Sequence, residues 1–242
     1  MIVRKRLTVQ NTIAVIVALI FLVVVLFSFS FIGRRPGAGE QFIRQGVEDT
    51  GAVNIVAAIY LNYRLFDTIF EILVFALAVI GVRFHLHAIK DKRPRLKEAL
   101  FISESHIVRV AGDLLAPVVA LIGLFLIVTG HLAPGGGFSG GALLGTVILL
   151  LAVARGGERV GRRLNEDVVD RLEQIFLVSI IALSALSPLF GRPFFANFFP
   201  LGEPGRLLSG GWILLYNLLI GGKVFIGIWV MMYCFIRHRG DV

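Results

Sequence analysis

The chain has 242 residues, of which 57% are hydrophobic and only 17% charged, and its mean hydropathy is +0.85. Ordinary soluble domains are roughly 45–50% apolar and about 25% charged, so this composition excludes a soluble globular protein. The balance of 24 Lys+Arg against 16 Asp+Glu leaves a net charge of +8. Most basic residues sit between apolar runs, where they report membrane orientation rather than nucleic-acid binding. The one cysteine, Cys234, allows no intrachain disulfide and reads as a small buried hydrophobe.

A helix needs about 20 apolar residues to cross hydrocarbon. The first such run is 9–32, rich in Val, Ile and Leu. Arg4, Lys5 and Arg6 precede it like the charged start of a signal peptide. The run is longer than the usual 7–15 residues or so, and Gly33-Arg34-Arg35 follows it instead of a cleavage site, so an uncleaved anchor is expected. The segment 51–64 is apolar but too short to cross. It is expected to be a short helix at the outer interface, or a re-entrant piece sheltered by other helices. Further spans are expected at 65–84, 107–129, 138–154, 168–189 and 212–236.

Basic residues test the order. They cluster at the N-terminus, in 83–97 (Arg83, Lys90, Lys92, Arg93, Arg95, Lys97), in 155–163 (Arg155, Arg159, Arg162, Arg163) and at Arg237 and Arg239. With about six spans all four clusters fall on one side, so both termini are expected in the cytoplasm. The predicted fold is an all-α polytopic membrane protein with about six transmembrane helices plus one short interfacial or re-entrant helix. The hydrophilic stretch around 86–104 separates a two-span part, 1–90, from a four-span part, 100–242.

Within the spans a few residues carry chemistry. The stretch from Gly130 and His131 through Pro134, Gly135, Gly136, Gly137, Phe138, Ser139, Gly140 and Gly141 predicts a tight, backbone-rich turn. Free N–H groups where the next helix starts can hold an anion or water; alternatively the stretch is only a turn. Gly137, Gly141 and Gly145 recur every four residues and form a small-residue face for close helix approach. Gly135-x-Gly137-x-x-Gly140 matches a dinucleotide fingerprint only formally, because it follows a membrane span and not a strand.

Asp67 and Glu71 stand at i and i+4, on one helix face. Asp67 can cap the helix or line a path. Glu71 lies about 9 Å along the helix, where a carboxylate needs pairing, hydration or neutralisation. Arg64 is its near-sequence partner. Lys223 falls mid-span, too far from either end to snorkel, and needs a carboxylate or a water-filled cavity. A structural salt bridge and a part in a proton or ion path both remain open for it. Asp113, Asp170 and Glu173 read as interfacial anchors, and Asn217 as an interhelical hydrogen-bonding residue. His85, His87, His106 and His238 lack metal-site spacing, and no nucleophile–base set or redox centre appears.

The Gly130-His131…Pro134-Gly135-Gly136-Gly137-Phe138…Gly140-Gly141 stretch resembles the glycine signature of the small B subunit of Mrp-type multisubunit sodium/proton antiporters. That subunit recurs in membrane-bound hydrogenases and their sulfur-reducing relatives. The resemblance covers about 100–240, with Ser139 where the family more often has Gln. Asn54-Ile55-Val56…Ile59…Tyr63-Arg64-Leu65-Phe66-Asp67-Thr68…Glu71-Ile72 is similar to the C-terminal piece of the large A subunit, which is a separate small subunit in the hydrogenases. Leu65 and Phe70 stand where that family usually has Gly. The resemblance implies a fusion of two neighbouring subunits, in a hetero-oligomeric inner-membrane complex with other antiporter-type subunits. Na+ and H+ would be the transported ions, with no cofactor bound by this chain and redox subunits attached in the hydrogenase case. Asp67 and Glu71 become candidates for the ion or proton path, with Lys223 adjusting local charge. The competing reading is a scaffold that touches no ion.

Overall fold

The structure, a computed structural model, describes residues 37–90, 106–156, 160 and 166–237. The expected first span, 9–32, lies outside them. The chain divides into two units, Met1–Gln41 and Phe42–Val242, and the geometry below belongs to the second. Every regular element among the described residues is helical: α1 (Ala38–Thr50), α2 (Ile55–Ala58) with a π-helical turn (Ile59–Tyr63), α3 (Leu65–Lys90), α4 (His106–Val128), α5 (Gly137–Arg155), α6 (Glu166–Ala185), a 3₁₀ turn (Ser187–Phe190) and α7 (Ile213–Arg237).

Among the described residues four helical stretches are long and apolar enough to cross a membrane: Leu65–His85, His106–Val128, Gly137–Arg155 and Ile213–Phe235. The chain is an all-α, multi-pass membrane protein. Its outward faces are apolar, as at Leu77, Leu114, Leu121 and Phe125, each at least 60% exposed. Between helices surrounded by lipid tails the hydrophobic effect supplies little, so close packing and interhelical hydrogen bonds must hold the bundle.

The helix expected at 168–189 differs from those four. It stops at Ala185, two residues before the 3₁₀ turn Ser187–Phe190 that contains Pro188, and the charged positions 166, 167, 170, 171 and 173 fall in its first turns. It still packs on α7 and α3. Asp170 and Glu173 are matched there by cations from those helices, which offsets the cost of burying them.

Glycines set the spacing around α5, which packs on α4 and α7. A side chain at Gly140 would come 2.5 Å from the Gly123 carbonyl oxygen of α4. One at Gly141 would come 2.6 Å from the Gly221 carbonyl oxygen of α7. Two neighbouring glycines thus face two different helices at backbone contact. Gly137 and Gly145 extend the α7 side, against Asn217 and Ile228.

The segment after α1 is packed inside the protein. Ala57, Ala58 and Leu61 are fully buried and join a core with Ile72, Ile180, Ile213, Tyr216 and Ile220. The π-turn closes with the Arg64 N–H donating to the Ile59 carbonyl at 2.8 Å in place of the Tyr60 carbonyl, and the Leu61 carbonyl accepts from Trp212 Nε1 at 3.0 Å. Thr68 Oγ1 donates to the Tyr60 carbonyl at 2.6 Å and fixes the turn against α3.

Candidate functional site

The glycine stretch forms a turn in which the Gly136 and Gly137 N–H groups are already engaged. Gly136 N–H donates to the Leu126 carbonyl at 3.1 Å, and Gly137 N–H donates to Asn217 Oδ1 at 2.9 Å. The anion-binding reading of this helix start therefore loses its first two N–H groups to the protein itself. Gly136 has φ = 142° and is crowded by the Tyr60 hydroxyl, so only glycine fits. Pro134 is at the exposed tip, and Phe138 packs on the main core.

Asn54 ties the first part of the chain to this turn. Its side chain caps α2 by accepting from Val56 and Ala57 N–H, and its amide donates to the carbonyls of Gly130 (2.7 Å) and Ala133 (2.9 Å). Its own N–H donates to the His131 carbonyl at 3.0 Å. On the other side Tyr60 donates to Asn217 Oδ1 at 3.3 Å. In the sequence Asn54 stands out only through the family resemblance, and Asn217 reads as a generic interhelical group. Nothing in either residue's local pattern announces a shared partner some eighty residues away.

Asp67 and Glu71 lie on one open face of α3, along a groove of about 680 Å³ bounded by Phe66, Phe70, Val74, Phe75 and Ala78. Both are exposed in this chain. Asp67 pairs with Arg64, one turn back, and makes no capping bond among the described residues. Arg64 therefore serves Asp67, and not Glu71 as expected from spacing. Among the described residues Glu71 has no ion-pair partner, yet its charge reaches inward: burial first, and Glu71 second, push the Tyr60 hydroxyl up to about 12.

Lys223 is 1% exposed and stands about 15 Å from the start of α7. Its Nζ donates to Glu173 Oε1 at 2.5 Å. The other carboxylate oxygen of Glu173 faces Arg83 at 3.9 Å, and Arg83 donates to Asp170 Oδ2 at 2.6 Å. Alternating charges thus run from the buried lysine of α7 through α6 to the half-exposed end of α3. The Lys223 ammonium also lies 5.9 Å from the Phe75 ring, whose side chain borders the groove.

Glu173, read as an anchor from its place in the sequence, is the partner that Lys223 lacked. The usable signal is depth. Glu173 sits about 10 Å into α6 and Lys223 about 21 Å from the opposite end of α7, a difference that a lysine stem and two helix tilts can close. Asp113 pairs with Arg155 at 2.6 Å, stapling the ends of α4 and α5. Among the described residues no group of three His, Cys, Asp or Glu side chains could hold a metal ion.

Residues 107–230 match the family described as "Domain related to MnhB subunit of Na+/H+ antiporter". A chain in the structure of the membrane-bound sulfane sulfur reductase, an archaeal respiratory membrane complex, is 27% identical with a TM-score of 0.70, covering 94% of this chain and 98% of that one. A chain of the Mrp complex from Dietzia sp. DQ12-45-1b shares the fold at 23% identity and TM-score 0.68, over 96% of this chain but 26% of its own length. An uncharacterized protein of Methanocaldococcus jannaschii is 23% identical over 84% of this chain and 83% of that protein. The probable K+/H+ antiporter A/B protein of Rhizobium meliloti is 27% identical over 77% of this chain, which spans only 21% of that relative.

Proposed function

We propose, starting from the fact that the chain belongs to the family of domains related to the MnhB subunit of Na+/H+ antiporters, that it is an ion-translocating membrane subunit of a respiratory complex of the hydrogenase or sulfur-reducing kind. The chain is part of a multisubunit membrane complex, beside other antiporter- or hydrogenase-like subunits in a lipid bilayer. The carrying observation for the respiratory setting is length. One chain of the sulfane sulfur reductase complex matches this chain almost end to end. The Rhizobium and Dietzia matches lie within much longer chains. A multisubunit Na+/H+ antiporter, the first setting implied by the family resemblance, is the second reading.

In either setting the residues 1–90 act as the part like the large A subunit and 100–242 as the part like the small B subunit, joined in one chain. The A/B designation of the Rhizobium relative supports that reading. The bundle has six crossings, with α6 among them and both termini cytoplasmic. Asp67 and Glu71 line the path of a monovalent cation, Na+ by the family's description and K+ by the Rhizobium name, exchanged for protons. Two carboxylates on one face, one of them unpaired among the described residues, supply the negative charge such an ion needs. Glu71→Ala should abolish cation-dependent proton movement in everted vesicles while the complex still assembles. Normal exchange by that variant refutes the path. For the setting, affinity purification of the complex should bring down subunits with iron–sulfur chromophores; antiporter subunits alone refute the respiratory reading.

A further inference from the structure

The Lys223–Glu173 pair and the groove meet at a single side chain. Phe75 borders the groove on one side and underlies the Lys223 ammonium at 5.9 Å on the other. Glu71 stands one turn, about 6 Å, further along the same helix. Glu173 shares its two carboxylate oxygens between Lys223 at 2.5 Å and Arg83 at 3.9 Å, and Arg83 leads to the half-exposed Asp170. We propose that Glu173 is the proton-holding group whose protonation exposes the charge of Lys223 and thereby expels a cation from the Asp67–Glu71 groove. The proposal rests on the groove being the cation path.

The chemistry is one proton transfer. A proton from the Arg83–Asp170 end adds to a carboxylate oxygen of Glu173 and gives the neutral acid; returning it restores the ion pair. In the paired state Lys223 and Glu173 carry no net charge. Once Glu173 is neutral, Lys223 leaves one uncompensated positive charge in a weakly screened interior, separated from Glu71 by the Phe75 ring. A cation in the groove and a proton on Glu173 therefore oppose each other, and by linkage each weakens the other by the same factor. Mutual exclusion of this kind is what exchange requires. Phe75 is closely packed against Gly227 of α7. The other groups that bear on the pair are Arg83 on α3, Asp170 on α6 and Cys234 of α7, which lies near Arg83. Toward the groove they are Asp67, Glu71 and Tyr60.

The test uses the whole complex in everted vesicles at one alkaline pH, with the apparent KM for Na+ and for K+ read from uptake of the cation itself and proton efflux followed in parallel. Glu173→Gln imitates the protonated acid and leaves Lys223 charged. It should raise KM by about fivefold or more, the lower end of ordinary coupling between sites. The double variant Glu173→Gln with Lys223→Met removes both charges, a replacement that is often neutral for stability. It should return KM toward the wild-type value while losing the obligatory proton coupling, seen as cation flux without matching proton flux. An unmoved KM in Glu173→Gln, or a double variant that fails to assemble or exchanges normally, overturns the proposal. Glu71→Ala run alongside separates the two failures. If exchange survives there, the groove reading is wrong. If it is lost there but KM is unmoved in Glu173→Gln, only the coupling is wrong.

Discussion

A side chain at Gly141 would meet the backbone of Gly221 on α7, whereas one at Gly221 would meet Ile127 on α4, so the same substitution at each should have different consequences. An alanine Cβ at Gly141 would lie 2.6 Å from the Gly221 carbonyl oxygen, 2.9 Å from Val224 Cβ and 3.1 Å from Gly221 Cα. Ordinary contact begins near 3.4 Å, so the helices must part by about 0.8 Å, and the obstructing oxygen is backbone. Overpacking of this kind costs about 1–3 kcal/mol, and the helix gains at most about 1 kcal/mol from replacing glycine. A net loss of up to about 2 kcal/mol follows for Gly141→Ala. At Gly221 the new Cβ would meet Ile127 Cδ1 at 2.6 Å, Cγ1 at 2.9 Å and Cγ2 at 3.3 Å, all of them side-chain and not backbone atoms. A rotamer change of about 0.5–1.5 kcal/mol relieves that, so Gly221→Ala should be close to neutral. Apparent melting midpoints of the purified complex, followed by tryptophan fluorescence at one scan rate, should rank wild type and Gly221→Ala together, with Gly141→Ala below. Equal midpoints for the two variants, or a lower one for Gly221→Ala, refute the claim that backbone contact at Gly141 sets the α5–α7 spacing.

Other outcomes follow from the turn and its surroundings. Asn54→Ala removes a helix cap worth about 1 kcal/mol and strips the Gly130 and Ala133 carbonyls of their donor, for a total of about 2–4 kcal/mol; the reduced yield of assembled complex should be partly restored by Asn54→Ser, which keeps the cap. Trp212→Phe leaves the Leu61 carbonyl of the π-turn without its donor and should cost about 1–3 kcal/mol, read as increased protease sensitivity within 51–64. His131 is fully buried, and burial lowers its pKa against the opposing effect of nearby Arg206 and Leu207 backbone. The unfolded chain thus binds a proton that the folded chain refuses, so stability falls as pH drops below about 6.5, by at most about 1.4 kcal/mol per unit. His131→Gln should flatten the dependence of melting midpoint on pH in that range, and an unchanged slope counts against the assignment.

The long helices are legible in the sequence because membrane crossing imposes a crude rule, length and apolarity, that four stretches among the described residues satisfy without help from tertiary structure. The glycine turn is equally plain, since Pro134 and three successive glycines leave few other conformations. What the sequence conceals are partners. Spacing assigns Arg64 to Glu71, but a shorter i,i+3 reach brings it to Asp67. Glu173 looks like a helix-start carboxylate because local position cannot show that α7 presents a lysine beside it. Gly140 reads as one more residue of the turn that holds Gly141; its separate role against Gly123 depends on where α4 lies. In each case the missing information is which face of one helix meets which face of another, and composition is silent on that.

The bonds from Asn54 to Gly130, His131 and Ala133 join residues that come from opposite sides of the stretch 91–105. Trp212 to Leu61 and Tyr60 to Asn217 do the same. None of these contacts depends on the chain being continuous between the parts they connect. Continuity raises the effective concentration of one part for the other and fixes their ratio at one to one. Two fragments severed in 91–105 would still carry complementary surfaces, and co-expression should let them reassemble. For this architecture the peptide link governs how reliably and in what proportion the parts meet, and the docked geometry is written in the side chains on either side of it.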